Sequence, residues 1–218
     1  MAQMKPRTKS KTKSGANAKP ASRTTVTAEP ETRLADAALK LLAKTPWSDL
    51  ALFAVARSAR VPPCDLQAIA SSKPALIALI LNRVGGEVAA RYRREPGSAH
   101  DRLFEVAMCW FDVLAPQRKA VRSLYDGLKR DPLTLVAARA GIVEAAGWLL
   151  TLAEADTGSA LPLRALGLAA VLARAVPVWL GDDKDLTRTM AALDIDLTRA
   201  DTIFDRLRGA KDGEDDAA

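Results

Sequence analysis

Histidine is almost missing from the 218-residue chain, with His100 as its single example. One imidazole and two cysteines, Cys64 and Cys109, cannot supply the His/Cys cluster that holds a zinc ion, so no metal and no cofactor is expected. The serines lack a base partner, which leaves no Ser-His-Asp arrangement and no enzyme to propose. The cysteines stand far apart with no repeated spacing; this excludes a disulfide framework and points to a reduced, cytoplasmic protein. No apolar stretch follows Met1, so no signal peptide is expected. Segments with strand alternation and internal repeats are lacking too. The pair Gly85-Gly86 falls inside a helical pattern with no strand before it; close helix packing or a kink explains it better than a phosphate loop.

What the chain does have is apolar bulk and an uneven charge. Apolar residues make up 49% of it, enough for a sizeable core. The net charge is +6, and the first 23 residues alone carry Lys5, Arg7, Lys9, Lys11, Lys13, Lys19 and Arg23 with no acid. This arm, residues 1–29, is too polar to offset its ordering entropy and is expected to be disordered. It can neutralise phosphates without reading sequence, or serve as a solubilising extension. At the other end, residues 210–218 hold Asp212, Glu214, Asp215 and Asp216, and read as a disordered acidic tail.

Between these ends the periodicity is helical throughout. Leu34, Ala37, Ala38, Leu41 and Leu42 make one amphipathic face that Pro46 stops. Leu52, Val55, Ala56 and Ala59 mark a short second helix, and residues 63–70 a third, with Leu66 and Ile69. Ser72 caps a fourth, with Pro74 in its first turn. After Pro96-Gly97 a helix carries Leu103, Val106, Ala107, Trp110 and Leu114 on one face and Phe104, Met108 and Phe111 on another, so it is central. Pro116 and Pro132 punctuate two more, and a last helix is expected near 184–208. Asp182, Asp183 and Asp185 fit the positive end of that helix, with a divalent cation as the alternative. His100, at a helix start, reads as a solvated or capping residue. The run 160–180 approaches bilayer length, but it contains Arg164 and Arg174. Each mid-span arginine costs roughly 2.5–3.5 kcal/mol, so a helix buried between body and partner subunit is expected instead of a membrane span.

The stretch Ala37-Ala38-Leu39…Leu42, Val55-Ala56…Ala59…Val61, Leu66 and Ser72-Lys73…Leu76 resembles the TetR family of bacterial regulators. The likeness rests on the order and spacing of these residues over the head and on the all-helical body that follows. The resemblance implies an all-α, TetR-like fold: a helix-turn-helix head over residues 30–75, then a ligand-binding and dimerisation body over 76–209. It implies a homodimer that binds double-stranded DNA through Arg57, Arg60, Asp65, Gln67 and Lys73, with Lys73 matching a basic residue that contacts phosphate. The aromatic stripe Phe104, Met108, Phe111, Trp148 and Leu152 is either core or the wall of a pocket for a hydrophobic small molecule or lipid. Pairing through the last two helices implies Leu168, Val171, Trp179, Met190, Leu193 and Leu197 at the dimer interface.

The reading face departs from the family's pattern. Arg60 stands where glycine is usual, Pro62 where a small polar cap is, and Gln67 where a tyrosine is, while Ile69 and Ala70 replace a histidine and a phenylalanine. No Lys or Arg lies between 63 and 70, and Asp65 would face phosphate unfavourably. Gln67 can still pair with an adenine edge. A second family, a TetR-like lipid-binding protein of ubiquinone biosynthesis that does not read DNA, is similar over Val178-Trp179-Leu180-Gly181-Asp182-Asp183…Asp185-Leu186…Thr189-Met190. It remains the alternative.

Overall fold

The structure, a computed structural model, describes residues 29–155 and 160–215. Residues 1–28 of the expected basic arm and residues 216–218 of the expected acidic tail lie outside them. Among the described residues every regular element is helical. The head is α1 (Pro30–Leu42), a 3-10 turn (Trp47–Asp49), α2 (Leu52–Ala59) and α3 (Pro63–Ile69). Next comes the connecting helix α4 (Lys73–Arg91). The body adds α5 (Ala99–Leu114), a second 3-10 turn (Ala115–Gln117), α6 (Arg118–Arg130), α7 (Pro132–Leu152), α8 (Leu161–Leu180) and α9 (Thr187–Asp215).

Local chemistry sets most of these boundaries. α2 ends as Arg60 turns left-handed at φ 55° and ψ 44°. The Val61 N–H then donates to Ala56 O at 2.9 Å and the Arg60 N–H to Arg57 O at 3.2 Å, satisfying carbonyls that the helix end leaves free. Ser72 caps α4 by accepting the Ala75 N–H at 3.3 Å. A reciprocal pair, Ser98 with Asp101, opens α5. Asp131 opens α7 by accepting the Thr134 N–H at 3.0 Å and its hydroxyl at 2.6 Å.

The last helix differs from expectation at both ends. It begins at Thr187, because Leu186 adopts φ 54° and Asp182 reaches forward to accept the Thr189 N–H and hydroxyl, both at 2.7 Å. It continues to Asp215, past the expected end, with no proline to stop it and with Arg206, Arg208, Ala210 and Lys211 as good helix formers.

Two buried cores result. The head core gathers Leu34, Ala38, Leu42, Trp47, Val55, Ala56 and Leu66, and draws in Leu76, Ile77 and Ile80 of α4, Ala120 of α6 and Ala138 of α7. The packed head therefore reaches well beyond residue 75. The body core centres on α5 and α8, with Phe111 and Trp179 fully buried. Leu81 and Ile142 touch both cores. α6 presses hard against the head: a Cβ on Gly127 would stand 2.3 Å from Trp47 Cβ, and the Ser123 hydroxyl donates to Thr45 O at 3.1 Å. By length and composition α7 and α8 could each cross a membrane; half of the apolar stretch of α8 is buried inside the protein, against 22% for α7.

Candidate nucleic-acid interface and body cavities

The α2–α3 unit is held from within by small and branched side chains. Val55, Ala56, Ala59, Val61 and Leu66 are all buried, so α3 presents its other side outward. On that side Cys64, Gln67 and Ala68 are exposed and Asp65 is half-buried. Beside it stand Arg57 and Arg60, both exposed and in no ion pair among the described residues. The left-handed backbone at Arg60 accounts for the glycine expected there, since an L-residue is disfavoured in that conformation.

Lys73 is engaged within the protein. Its ammonium donates to Trp47 O at 2.9 Å and Ser48 O at 3.1 Å, and lies 5.1 Å from the centre of the Trp47 ring. It ties the 3-10 turn to the start of α4. Two of its three donors are thereby engaged within the protein. No local signal in the sequence links residue 73 to residue 47, so only the charge was legible.

The five pocket candidates do not share one cavity. Phe111 is core, with its ring 5.1 Å from Trp110 and 5.5 Å from Trp179. Phe104 borders a hollow between α5 and α9 with His100, Met190 and Asp194. Met108 and Leu152 are partly buried against the body core. Trp148, 46% exposed, borders a groove of about 620 Å³ between α4, α7 and α8, together with Leu81, Val143, Leu161 and Ala165. Its indole N–H donates to Gly85 O at 3.3 Å, and a Cβ on Gly85 would sit 3.0 Å from its ring. Gly85 thus serves close helix packing, while Gly86 faces open space.

The expected interface set also lies mostly inside the protomer. Leu168, Val171, Trp179, Leu193 and Leu197 are buried in the body core, and Met190 alone of the six is exposed. Trp179 packs under the Arg118 guanidinium, 4.7 Å away. The apolar face that α8 and α9 leave outward is instead Leu163, Leu166, Ile195 and Ile203, each 43–55% exposed. A groove of about 380 Å³ runs along it, where Phe204 covers Gly167 and Asp196 pairs with Arg174 and Arg199.

His100 is neither free nor a helix cap. Its Nδ1 lies 3.1 Å from Asp201 Oδ2 and its Nε2 3.1 Å from Asp194 Oδ1, so both ring nitrogens meet carboxylates of α9. The hydrogen bonds to Asp194 and then Asp201 raise its pKa above the ordinary 6.5. Of the acids at 182–185, Asp182 acts similarly within the protein. Asp182 clamps Thr189, and these bonds hold its carboxyl below the usual range. Among the described residues no three His, Cys, Asp or Glu side chains gather as a metal site.

Among the described residues, a helix-turn-helix head of three helices seated on six further α-helices defines a class of all-α proteins. No protein-family model matches the sequence, and no curated protein matches it. Solved structures do match the fold. The crystal structure of a TetR transcriptional regulator from Nitrosomonas europaea ATCC 19718 superposes with a TM-score of 0.57 at 20% identity, covering 78% of this chain and 97% of the other. That of a TetR transcriptional regulator from Rhodococcus sp. RHA1 gives 0.59 at 14% identity, covering 78% and 94%. The chain has the TetR-like fold.

Proposed function

We propose that the protein is a dimeric, TetR-type DNA-binding transcriptional regulator with an apolar effector site in its helical body. The observation that carries this reading is the head itself: α3 is held with one side outward and flanked by the exposed guanidiniums of Arg57 and Arg60, which form no ion pair among the described residues. Two solved proteins that share its fold are TetR transcriptional regulators. With no cation on α3, most affinity would come from the flanking arginines and from the basic residues 5–23, and base discrimination from Gln67.

Dimerisation is proposed through the outward apolar face of α8 and α9, which would set two heads about one helical turn (~34–36 Å) or a multiple apart on DNA. Arg164 and Arg174 suit a helix buried in such an assembly better than a membrane span, and a cytoplasmic location follows. The groove beside Trp148 is the proposed seat of a hydrophobic effector, and no enzymatic step or cofactor enters this reading. Fluorescence anisotropy against DNA upstream of the gene tests it. Binding should exceed that to random duplex at least tenfold; equal affinity for both, lost on deleting residues 1–23, would rule out sequence-specific regulation.

The uncharged α3 favours a second reading, a TetR-fold lipid-binding protein of ubiquinone biosynthesis that does not read DNA. A co-purified isoprenoid or quinone in native mass spectrometry would support it. Apo-protein with a tight, specific operator would exclude it.

A further inference from the structure

We propose that the seam between head and body is a binding site for a small multivalent oxyanion, a polycarboxylate or a phosphate-bearing metabolite. The site is a cleft of about 720 Å³ bounded by the α1–α2 connection, the start of α4 and one side of α6. Its volume falls within the range of about 300–1,000 Å³ typical of small-molecule sites.

Charge is the first argument. Lys44 and Lys73 border the cleft from the head side, and Lys119, Arg122 and Arg130 from α6. No ion pair engages any of these five cations among the described residues. Lys73 and Arg122 donate to backbone carbonyls, of Trp47 and Ser48 and of Leu180. Lys44, Lys119 and Arg130 are exposed with their charge uncommitted. Only two carboxylates border the same cleft, Asp126 and Asp131. Asp131 is already held by the hydroxyl and N–H of Thr134, bonds that keep its carboxyl ionised to lower pH than usual. The cleft is left with an excess of positive charge.

The second argument is independent of charge. Trp47 also lines the cleft and is only 2% exposed, yet its indole N–H has no acceptor among the described residues. Buried donors are ordinarily satisfied. An oxyanion supplies both the countercharge for the cations and an acceptor for such a donor. Several charges on one ligand are required because the cations are spread over both walls of an open cleft, where salt screens single pairs. A ligand touching Lys44 and Lys119 together would bridge head and α6, at the contact that Ser123 and Gly127 already make.

The test uses the full-length, 15N-labelled protein without DNA, titrated with pyrophosphate and with citrate, and with sodium chloride at equal ionic strength. The Trp47 indole resonance, assigned by its loss in Trp47→Phe, should move saturably with one equivalent per protomer. Calorimetric titration of the wild type and of the Lys119→Glu/Arg130→Glu variant gives the same comparison if Trp47→Phe does not fold. The double variant should bind at least tenfold more weakly. A response to pyrophosphate alone assigns a phosphate-bearing ligand, and to citrate alone a polycarboxylate. The proposal is overturned if sodium chloride reproduces the shift, if neither anion saturates, or if the double variant binds unchanged. It is equally overturned if the variant loses DNA affinity while the wild type ignores both small anions, because the cations are then contacts to a DNA backbone. With no DNA in the titration, its failure leaves the regulator reading standing, and a failed operator search leaves the anion site standing.

Discussion

Replacing Arg60 with glycine should make the protein more stable and a weaker DNA binder at once. Arg60 sits at φ 55° and ψ 44°, fixed there by the bonds from Val61 to Ala56 and from its own N–H to Arg57. An L-residue in this left-handed region costs about 1–2 kcal/mol, while glycine gives back about 0.5–1 kcal/mol through its larger unfolded-state entropy. The net gain is about 0.5–1 kcal/mol, or about 1–4 °C in Tm for a chain of this size. Urea unfolding measures it, with the m-value unchanged. Arg60→Ala is the control: it removes the same guanidinium, which has no ion pair to lose, but keeps the strained backbone, so it should bring no gain. DNA affinity should fall in both variants, with the salt slope lowered by about 1 if the arginine contacts a phosphate. A destabilised Arg60→Gly, or an Arg60→Ala as stable as Arg60→Gly, would refute the strain argument. Unchanged DNA affinity in both would remove Arg60 from the interface.

Two further changes probe the seam and the last helix. Gly127→Ala places a Cβ 2.3–2.7 Å from three atoms of buried Trp47, and should destabilise by about 1–3 kcal/mol despite alanine's better helix propensity; a neutral effect in chemical denaturation would show that α6 is not clamped on the head. The His100 clamp predicts a pH dependence, since only the protonated ring can donate to Asp194 and Asp201 together. Its pKa is raised in the folded state, so the contribution is complete below the ordinary 6.5 and is lost as pH rises through the folded value. The partly exposed pairs limit it to about 1 kcal/mol or less. Stability of the wild type relative to His100→Gln should therefore be greater at pH 5.5 than at pH 8.5, and an equal difference at both would deny the clamp.

What could be read from the sequence, and what could not, divides by the distance over which each feature is determined. α1, α2 and α4 follow from apolar spacing, and Ser72, Ser98 and the Pro63 start are signals within one turn. The left-handed backbone at Arg60 was not legible from local spacing; the family resemblance alone marked the position as one where glycine is usual. The 3-10 turn at Trp47–Asp49 has too few residues to show a period. Partners far apart in sequence were invisible: Lys73 with Trp47, His100 with Asp194 and Asp201, Arg118 with Trp179.

The interface residues show this limit most clearly. α8 is apolar on nearly every side, so its periodicity cannot tell which stripe the protomer buries and which it leaves out. Leu168, Val171 and Trp179 turn inward, and Leu163 and Leu166 turn outward, although all five are apolar residues of the same helix. Docking of α7 and α9, together with the Phe111 ring of α5, decides between them. Phe111 claims Trp179 on one side, and Phe204 settles over Gly167 on the other. The acidic turn and threonine that resemble the lipid-binding family are accounted for in the same way. Asp182 and Thr189 fasten the start of α9, a task any helix in this position sets regardless of ligand. That C-terminal likeness therefore gives no separate support to lipid binding. The choice between the two readings falls to the head, where α3 lacks cations and Arg57 and Arg60 keep theirs.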